Sequence, residues 1–261
     1  MLLPDKTEKF EITSGQMIGD RGTVLNSFNE VIYCEKNSNY SDSFGFQWNK
    51  FQTTQIDRFQ SGLTQSRNRL MAVTHWDIED LSNQKILEVG SGAGRFTHVI
   101  LNETNADLCS VDYSNAVEAN FRNNGPHARL KLFQVSLYNL PFKPGQFHKV
   151  FCFGVLQHTP DVTRSVKCLA EMVKPGGSLI VDFYQKRGWY TTLQAKYLLR
   201  PLIRSWNHEK LLRTIEKNAD WMIKLYRGLK GVGMGVLTRF IPVCDIDRTL
   251  PRNLGPEALR E

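Results

Sequence analysis

The stretch Ile86-Leu87-Glu88-Val89-Gly90-Ser91-Gly92-Ala93-Gly94-Arg95-Phe96 has the residue types of a ligand-binding turn. An apolar run ends on an acid, and three glycines at alternate positions then lead into a helix pattern. Without side chains at Gly90, Gly92 and Gly94 the backbone can approach a ligand closely. Asp112 stands 18 residues past Gly94, after a second apolar run, near the spacing at which an acid reaches ribose hydroxyls. A carboxylate there can accept from both hydroxyls at once; it could also cap a helix starting near Ser114. Tyr113 beside it could stack on a base. The ligand implied is nucleotide-like, but a dinucleotide fingerprint wants a third glycine where this chain has Arg95, which disfavours a nicotinamide-dependent oxidoreductase.

Three later segments extend the pattern. Val135-Ser136-Leu137-Tyr138-Asn139-Leu140-Pro141-Phe142 ends in Leu-Pro-Phe. Phe147 to Asp161 contains Phe153, Gly154 and His158 at the end of an apolar run. Lys174-Pro175-Gly176-Gly177 turns into a further run that ends near Asp182 and Tyr184. Taken in this order, the segments resemble class I S-adenosylmethionine-dependent methyltransferases over about residues 85–183. The resemblance implies roles for particular residues. Glu88 would hold the amino-acid end of S-adenosylmethionine, since a carboxylate can bind its ammonium directly or through water. Gly90, Ser91, Gly92 and Gly94 would form the turn beneath the cofactor, and Asp112 and Tyr113 would serve the ribose and adenine. Ser136 stands where the family usually has an Asp that accepts from the adenine amino group; the backbone of Leu137 is the alternative. Phe153, Gly154 and His158 would line the cleft beside the sulfonium. His158 is the candidate general base, or it orders the turn locally. Asp182 is a second candidate base or orienting group, or it packs and caps.

The flank resembles a lead-in found in methyltransferases of bacterial polysaccharide and natural-product gene clusters. It runs Phe44-Gly45-Phe46-Gln47-Trp48, then Gln55-Ile56-Asp57, then Ser66-Arg67. That likeness implies Phe46, Gln47, Trp48 and Arg67 near the methionine end; Trp48 as plain core is the competing reading.

The elements that must position these residues alternate. Short runs rich in β-branched and aromatic residues predict strands at 85–89, 107–111, 130–134, 149–153 and 178–183. Helices are expected at 95–102, 115–123 and 162–173, the last capped by Asp161 and stopped by Pro175-Gly176-Gly177, and another over 64–76. Repeated β-α-β order implies an α/β fold, a doubly wound, mostly parallel sheet of Rossmann-like type. Residues 37–45 read as a loop. After Phe183 no convincing antiparallel strand pair appears; 236–244 is a single strand candidate, and the expectation is either a chain shortened at its C-terminus or a cap that replaces those strands. The expected organisation is an N-terminal extension (1–80) contributing to the site, a cofactor-binding core (81–185) and a basic helical cap or acceptor region (186–261).

Hydrophobic and charged fractions of 41% and 23% are ordinary for a soluble globular chain. The formal charge is +7, and from Lys186 to Arg239 twelve Lys/Arg face three acids. That segment could attract phosphate, nucleic acid or an anionic membrane, or simply be a solvated face. Leu211, Ile215, Ala219, Met222, Tyr226 and Leu229 mark one apolar helix side within it. The five cysteines are scattered, which argues against a zinc site or disulfide framework, and no secretory signal or membrane span is read; the location expected is the cytoplasm. The function expected is methyl transfer to a small molecule, an oxygen of a saccharide-like or natural-product acceptor that is acidic, lipid-linked or nucleotide-linked. The alternatives are a nucleic-acid methyltransferase and a non-catalytic binding protein of the same fold. The sequence leaves the acceptor and the oligomeric state open.

Overall fold

The computed structural model describes residues 7–13, 16–25, 30–34, 41–59, 64–183 and 194–243. Tyr184, Trp189, Tyr190, Cys244 and the 245–261 tail lie outside them, as do residues 37–40 of the expected loop. The chain divides into two compact units, 1–184 and 185–261.

The first unit is built on six strands: β4 (Ile32–Tyr33), β5 (Lys85–Val89), β6 (Asp107–Asp112), β7 (Leu130–Gln134), β8 (Phe147–Cys152) and β9 (Val173–Val181). They form one sheet in the order β4-β7-β6-β5-β8-β9, and every pairing is parallel. Helices α4 (Arg95–Glu103), α5 (Ala116–Asn124) and α6 (Val162–Met172) connect them. The apolar runs are continuous because both sheet faces are covered. Leu87, Val89, Val111 and Val150 belong to one buried cluster, and Ile86, Leu108, Leu132 and Phe151 to another. Chain order reverses beside β5, whose neighbours are β6 and β8. Such a switch point opens a crevice at the carboxyl ends of the strands.

Asp161 caps α6 as expected, its side chain accepting from the Arg164 amide at 2.9 Å. The helix ends at Met172, three residues before the Pro-Gly-Gly segment. That segment instead interrupts β9: pairing with β8 runs through Val173, shifts register, and resumes at Ser178.

The N-terminal region contains structure that its weak periodicity did not announce. Strands β1 (Phe10–Thr13), β2 (Gln16–Gly19) and β3 (Val24–Leu25) make a small antiparallel sheet. The Phe10 amide donates to Pro141 O, and the Lys143 amide to Phe10 O, both at 2.9 Å, which fastens the small sheet to the segment after β7. Helix α1 (Asp42–Lys50) replaces the part of the expected loop at 42–45. An acid in its first turn and a lysine in its last suit the helix dipole, and Asn49 Nδ2 donates to Asn115 O at 2.9 Å, tying α1 to the start of α5. Helix α2 (Gln65–Thr74) follows, then one short turn of helix, α3 (Ile78–Leu81).

In the second unit, α7 (Ala195–Ile203) and α8 (His208–Gly231) precede a 3-10 segment at Gly235–Phe240. Ala219, Met222 and Tyr226 form the buried face of α8, with Leu229 partly covered; Ile215 is exposed. The strand expected at 236–244 is not formed over its described part. The Thr238 hydroxyl donates back to Gly235 O at 2.6 Å, a local bond that favours the tight turn over an extended strand. Among the described residues no helix is long and apolar enough to cross a membrane.

Candidate functional site

A cleft of about 360 Å³ opens at the carboxyl ends of β5, β6, β8 and β7, within the range of small-molecule sites. Its floor is the turn after β5. Gly90 has φ +81°, and a Cβ there would fall 2.0 Å from Val155 Cγ2, so both backbone and space demand glycine. Gly92 has φ +53° and lies under the Trp48 indole, which a Cβ would approach to 3.2 Å.

Asp112 ends β6 and joins the two halves of the floor. Its Oδ2 accepts from the Gly92 amide at 2.8 Å. Its Oδ1 accepts from the Ser114 amide and hydroxyl at 2.8 and 2.7 Å. Asp112 therefore braces the turn ahead of α5, whose N-cap is Asn115, and it also lines the cleft. Burial raises its carboxyl above the usual range, and the bonds from Ser114 and Gly92 oppose that rise.

Of the residues singled out in the sequence, Gln47, Trp48, Gly90, Ser91, Gly92, Asp112, Tyr113, Leu137, Phe153, Gly154 and His158 line this one cleft. Phe46, Gly94, Glu88, Ser136, Arg67 and Asp182 do not. Gly94 is the N-cap of α4. Glu88 is 1% exposed. It lies among hydroxyls, its Oε2 accepting from Thr97 and, at 2.8 Å, from Ser110, and Asn120 Nδ2 donates to the same Thr97 hydroxyl at 2.9 Å. Burial pushes the Glu88 carboxyl up to about 7 against the lowering effect of the two hydroxyls. Ser136 is also buried, and its hydroxyl caps the 3-10 turn 137–139 by accepting from the Tyr138 amide at 3.3 Å.

Arg67 and Arg69 separate on α2 because residues two apart point about 200° away from each other on a helix. Arg67 Nε donates to Glu103 Oε2 at 2.7 Å, outside the cleft. Arg69 lines the cleft and donates to Asp182 Oδ2 at 3.0 Å. The other oxygen, Asp182 Oδ1, accepts from the Gly154 amide at 2.5 Å. Asp182 therefore stands behind the wall and holds two groups that form it.

The wall also holds Phe44 and Gln55, which fall in the segments of the N-terminal resemblance without a role assigned there, and Arg69 and Arg95, whose place on it no pattern announced. Arg95 Nη1 donates to Gln55 Oε1 at 2.8 Å. Burial, and then the neighbouring Arg69, lowers the Arg95 guanidinium to about 10, so it stays charged at neutral pH. Two guanidiniums on one wall suit an anionic group of a ligand. On α2 Ser66, Leu70 and Thr74 are buried, and Arg69 falls about 60° from Ser66, at one edge of that face. Phe44 packs against His158, ring centroids 4.8 Å apart, and burial lowers the His158 imidazole. Cys109 and Cys152 lie in the strands beneath the floor; burial raises both thiols, which behave as small apolar groups.

The arrangement can be tested for a nucleoside bearing an amino acid. The Ser91 hydroxyl is buried with no hydrogen-bond partner although Ser91 lines the cleft. A polar atom left in that state calls for a ligand or water. Together with the bare backbone at Gly92, the part-exposed carboxylate of Asp112 and the flat faces of Trp48 and Tyr113, it fits S-adenosylmethionine.

Residues 87–181 match the family model described as a methyltransferase domain. A tRNA U34 carboxymethyltransferase of Nautilia profundicola is 29% identical over 105 residues, 40% of this chain and 35% of that protein. This chain thus spans about a third of that relative's length. A ubiquinone biosynthesis O-methyltransferase of Acinetobacter baumannii is 26% identical over 169 residues, 57% of this chain and 68% of the relative. Among solved structures, an S-adenosylmethionine-dependent methyltransferase from Mesorhizobium loti is similar with a TM-score of 0.39 and 18% identity, over 45% of this chain and 52% of that one. Residues 87–181 are thus similar to a methyltransferase domain, and the cofactor that goes with such a domain is S-adenosylmethionine.

Proposed function

We propose that this protein transfers the methyl group of S-adenosylmethionine to an oxygen of a small-molecule acceptor of saccharide-like or natural-product type. The observation that carries the reading is the joined floor of the cleft, Gly92 bonded to Asp112 beneath Trp48. S-adenosylmethionine supplies, when bound, a methyl group already activated by its sulfonium. Asp112 would hold the ribose hydroxyls, and Tyr113 and Leu137 the adenine. Ser91, Arg69 and Arg95 would serve the amino-acid end. Glu88, Ser110 and Thr97 would keep the turn above them rigid from below. Holding acceptor and donor in line is worth up to ~7–11 kcal/mol, so no catalytic dyad is required.

An acceptor hydroxyl that took this methyl group would have to give up its proton. His158 lines the cleft in its neutral form at pH 7 and is the group we assign to take it. Asp182 is a positioning residue in this reading, acting through Gly154 and Arg69. The Acinetobacter relative, a ubiquinone biosynthesis O-methyltransferase, supports a small-molecule oxygen as acceptor; the tRNA relative points to the other class.

The test is transfer of a labelled methyl group to panels of sugar-nucleotide, lipid-linked and phenolic acceptors, run beside bulk tRNA. Label in a small-molecule panel, lost in Asp112→Ala, supports the reading. Label in tRNA alone moves the acceptor to nucleic acid, and saturable cofactor binding with no transfer to any panel favours a binding protein.

A further inference from the structure

Residues 194–243 hold ten Lys/Arg against three acids. Helix α8 sorts them by angle. Its inward side is Ala219, Met222 and Tyr226. At 100° per residue Lys210, Arg213, Lys217 and Lys224 fall within about 60° of one another on the opposite side. Trp221, 54% exposed, borders that stripe. Glu209, Glu216 and Asp220 share a separate strip, so they do not interrupt it. Arg213 approaches Glu209 only to 3.8 Å with both side chains exposed, a contact worth little in water.

The same unit presents apolar side chains to solvent. On α7, Leu198, Leu199 and Leu202 are 51, 38 and 71% exposed and lie on one side of the helix, while Arg200 lies well away from them. A polyanion alone would use the cations and leave these leucines in water. A bilayer with anionic headgroups satisfies both: basic side chains meet the surface charge, and leucine and tryptophan enter the headgroup–acyl boundary.

We propose that residues 194–243 dock this protein onto an anionic lipid bilayer, the α8 stripe lying on the headgroups and the α7 leucines entering them. The contact is peripheral, since neither helix can span. It stands apart from methyl transfer, and its test reads binding alone.

The full chain is sedimented with phosphatidylcholine vesicles and with vesicles that also contain phosphatidylglycerol. We expect pelleting with the second kind only, weakened by raising salt. The triple variant K210Q/R213Q/K217Q should bind at least about tenfold more weakly. Leu198→Ser with Leu202→Ser should weaken binding while circular dichroism stays as in the parent; both sites are exposed, so folding is preserved. The proposal is overturned if the parent ignores anionic vesicles, whether it binds tRNA or self-associates instead, or if both variants pellet as the parent does.

Discussion

The main-chain amide of Gly92 donates to Asp112 Oδ2 at 2.8 Å, so the turn after β5 and the acid after β6 are one hydrogen-bonded unit. The two strands are in register side by side, Val89 against Val111, which brings their carboxyl ends to the same level. A carboxylate that both shapes the turn and faces the cleft gives the ligand a preset partner.

Asp112→Ala should therefore weaken S-adenosylmethionine binding by about 10- to 100-fold, the scale of a lost charge-assisted hydrogen bond. Calorimetric titration reads it directly. Asp112→Asn, which keeps one acceptor oxygen, should fall between parent and alanine. Affinity unchanged in both variants would remove Asp112 from the site.

Gly92→Val places a β-branched side chain at φ +53° and against the Trp48 indole. The backbone cost is about 1–2 kcal/mol, a drop of a few degrees in Tm for a unit of this size. The variant should remain folded by circular dichroism and lose saturable cofactor binding. Parent-like affinity would mean that the ligand does not approach this turn.

Glu88 makes stability depend on pH. Its folded value, about 7, lies above the reference of 4.5 because burial disfavours the charge. The folded state then holds more protons than the unfolded state between those values, so this contribution to stability is complete below pH 4.5 and is lost as pH rises through 7. The difference is about 3 kcal/mol between the extremes. Thermal unfolding from pH 4.5 to 8 should show this decline superimposed on the other titrations, and Glu88→Gln should flatten it. Identical pH profiles for parent and variant would show that Glu88 is ionised throughout.

The imidazole of His158 is held below its ordinary value by burial. If it accepts the acceptor's proton, kcat should rise with pH through a value below 6.5 and level off near neutrality, where the base is free. His158→Ala should then cost about 10²- to 10⁴-fold in kcat and abolish that limb. A loss under threefold with the limb intact would leave His158 as packing for Phe44.

How far the sequence carried the structure depended on where each residue's partners lay. Lys85–Val89 and Leu130–Gln134 are legible with their observed bounds because they are buried on both faces and their apolar residues cluster in short runs. Asp112 and the glycines were legible because strand register fixes their level. The β1–β3 sheet was not, since each strand is at most four residues long and Phe10 takes its support from Pro141 and Lys143, 131 and 133 residues away in sequence. Arg69 escaped notice because side-chain direction on α2 depends on helix phase, and the resemblance pointed to Arg67. Glu88 was recognised as important, but burial beneath the turn is a property of packing that no local pattern displays.

Calorimetric titration of the full chain measures directly whether the Gly90–Asp112 cleft takes S-adenosylmethionine. We predict saturable one-site binding that Asp112→Ala weakens and that ATP or NAD does not compete away. No saturation at millimolar cofactor, or equal binding by the Asp112→Ala variant, would contradict it.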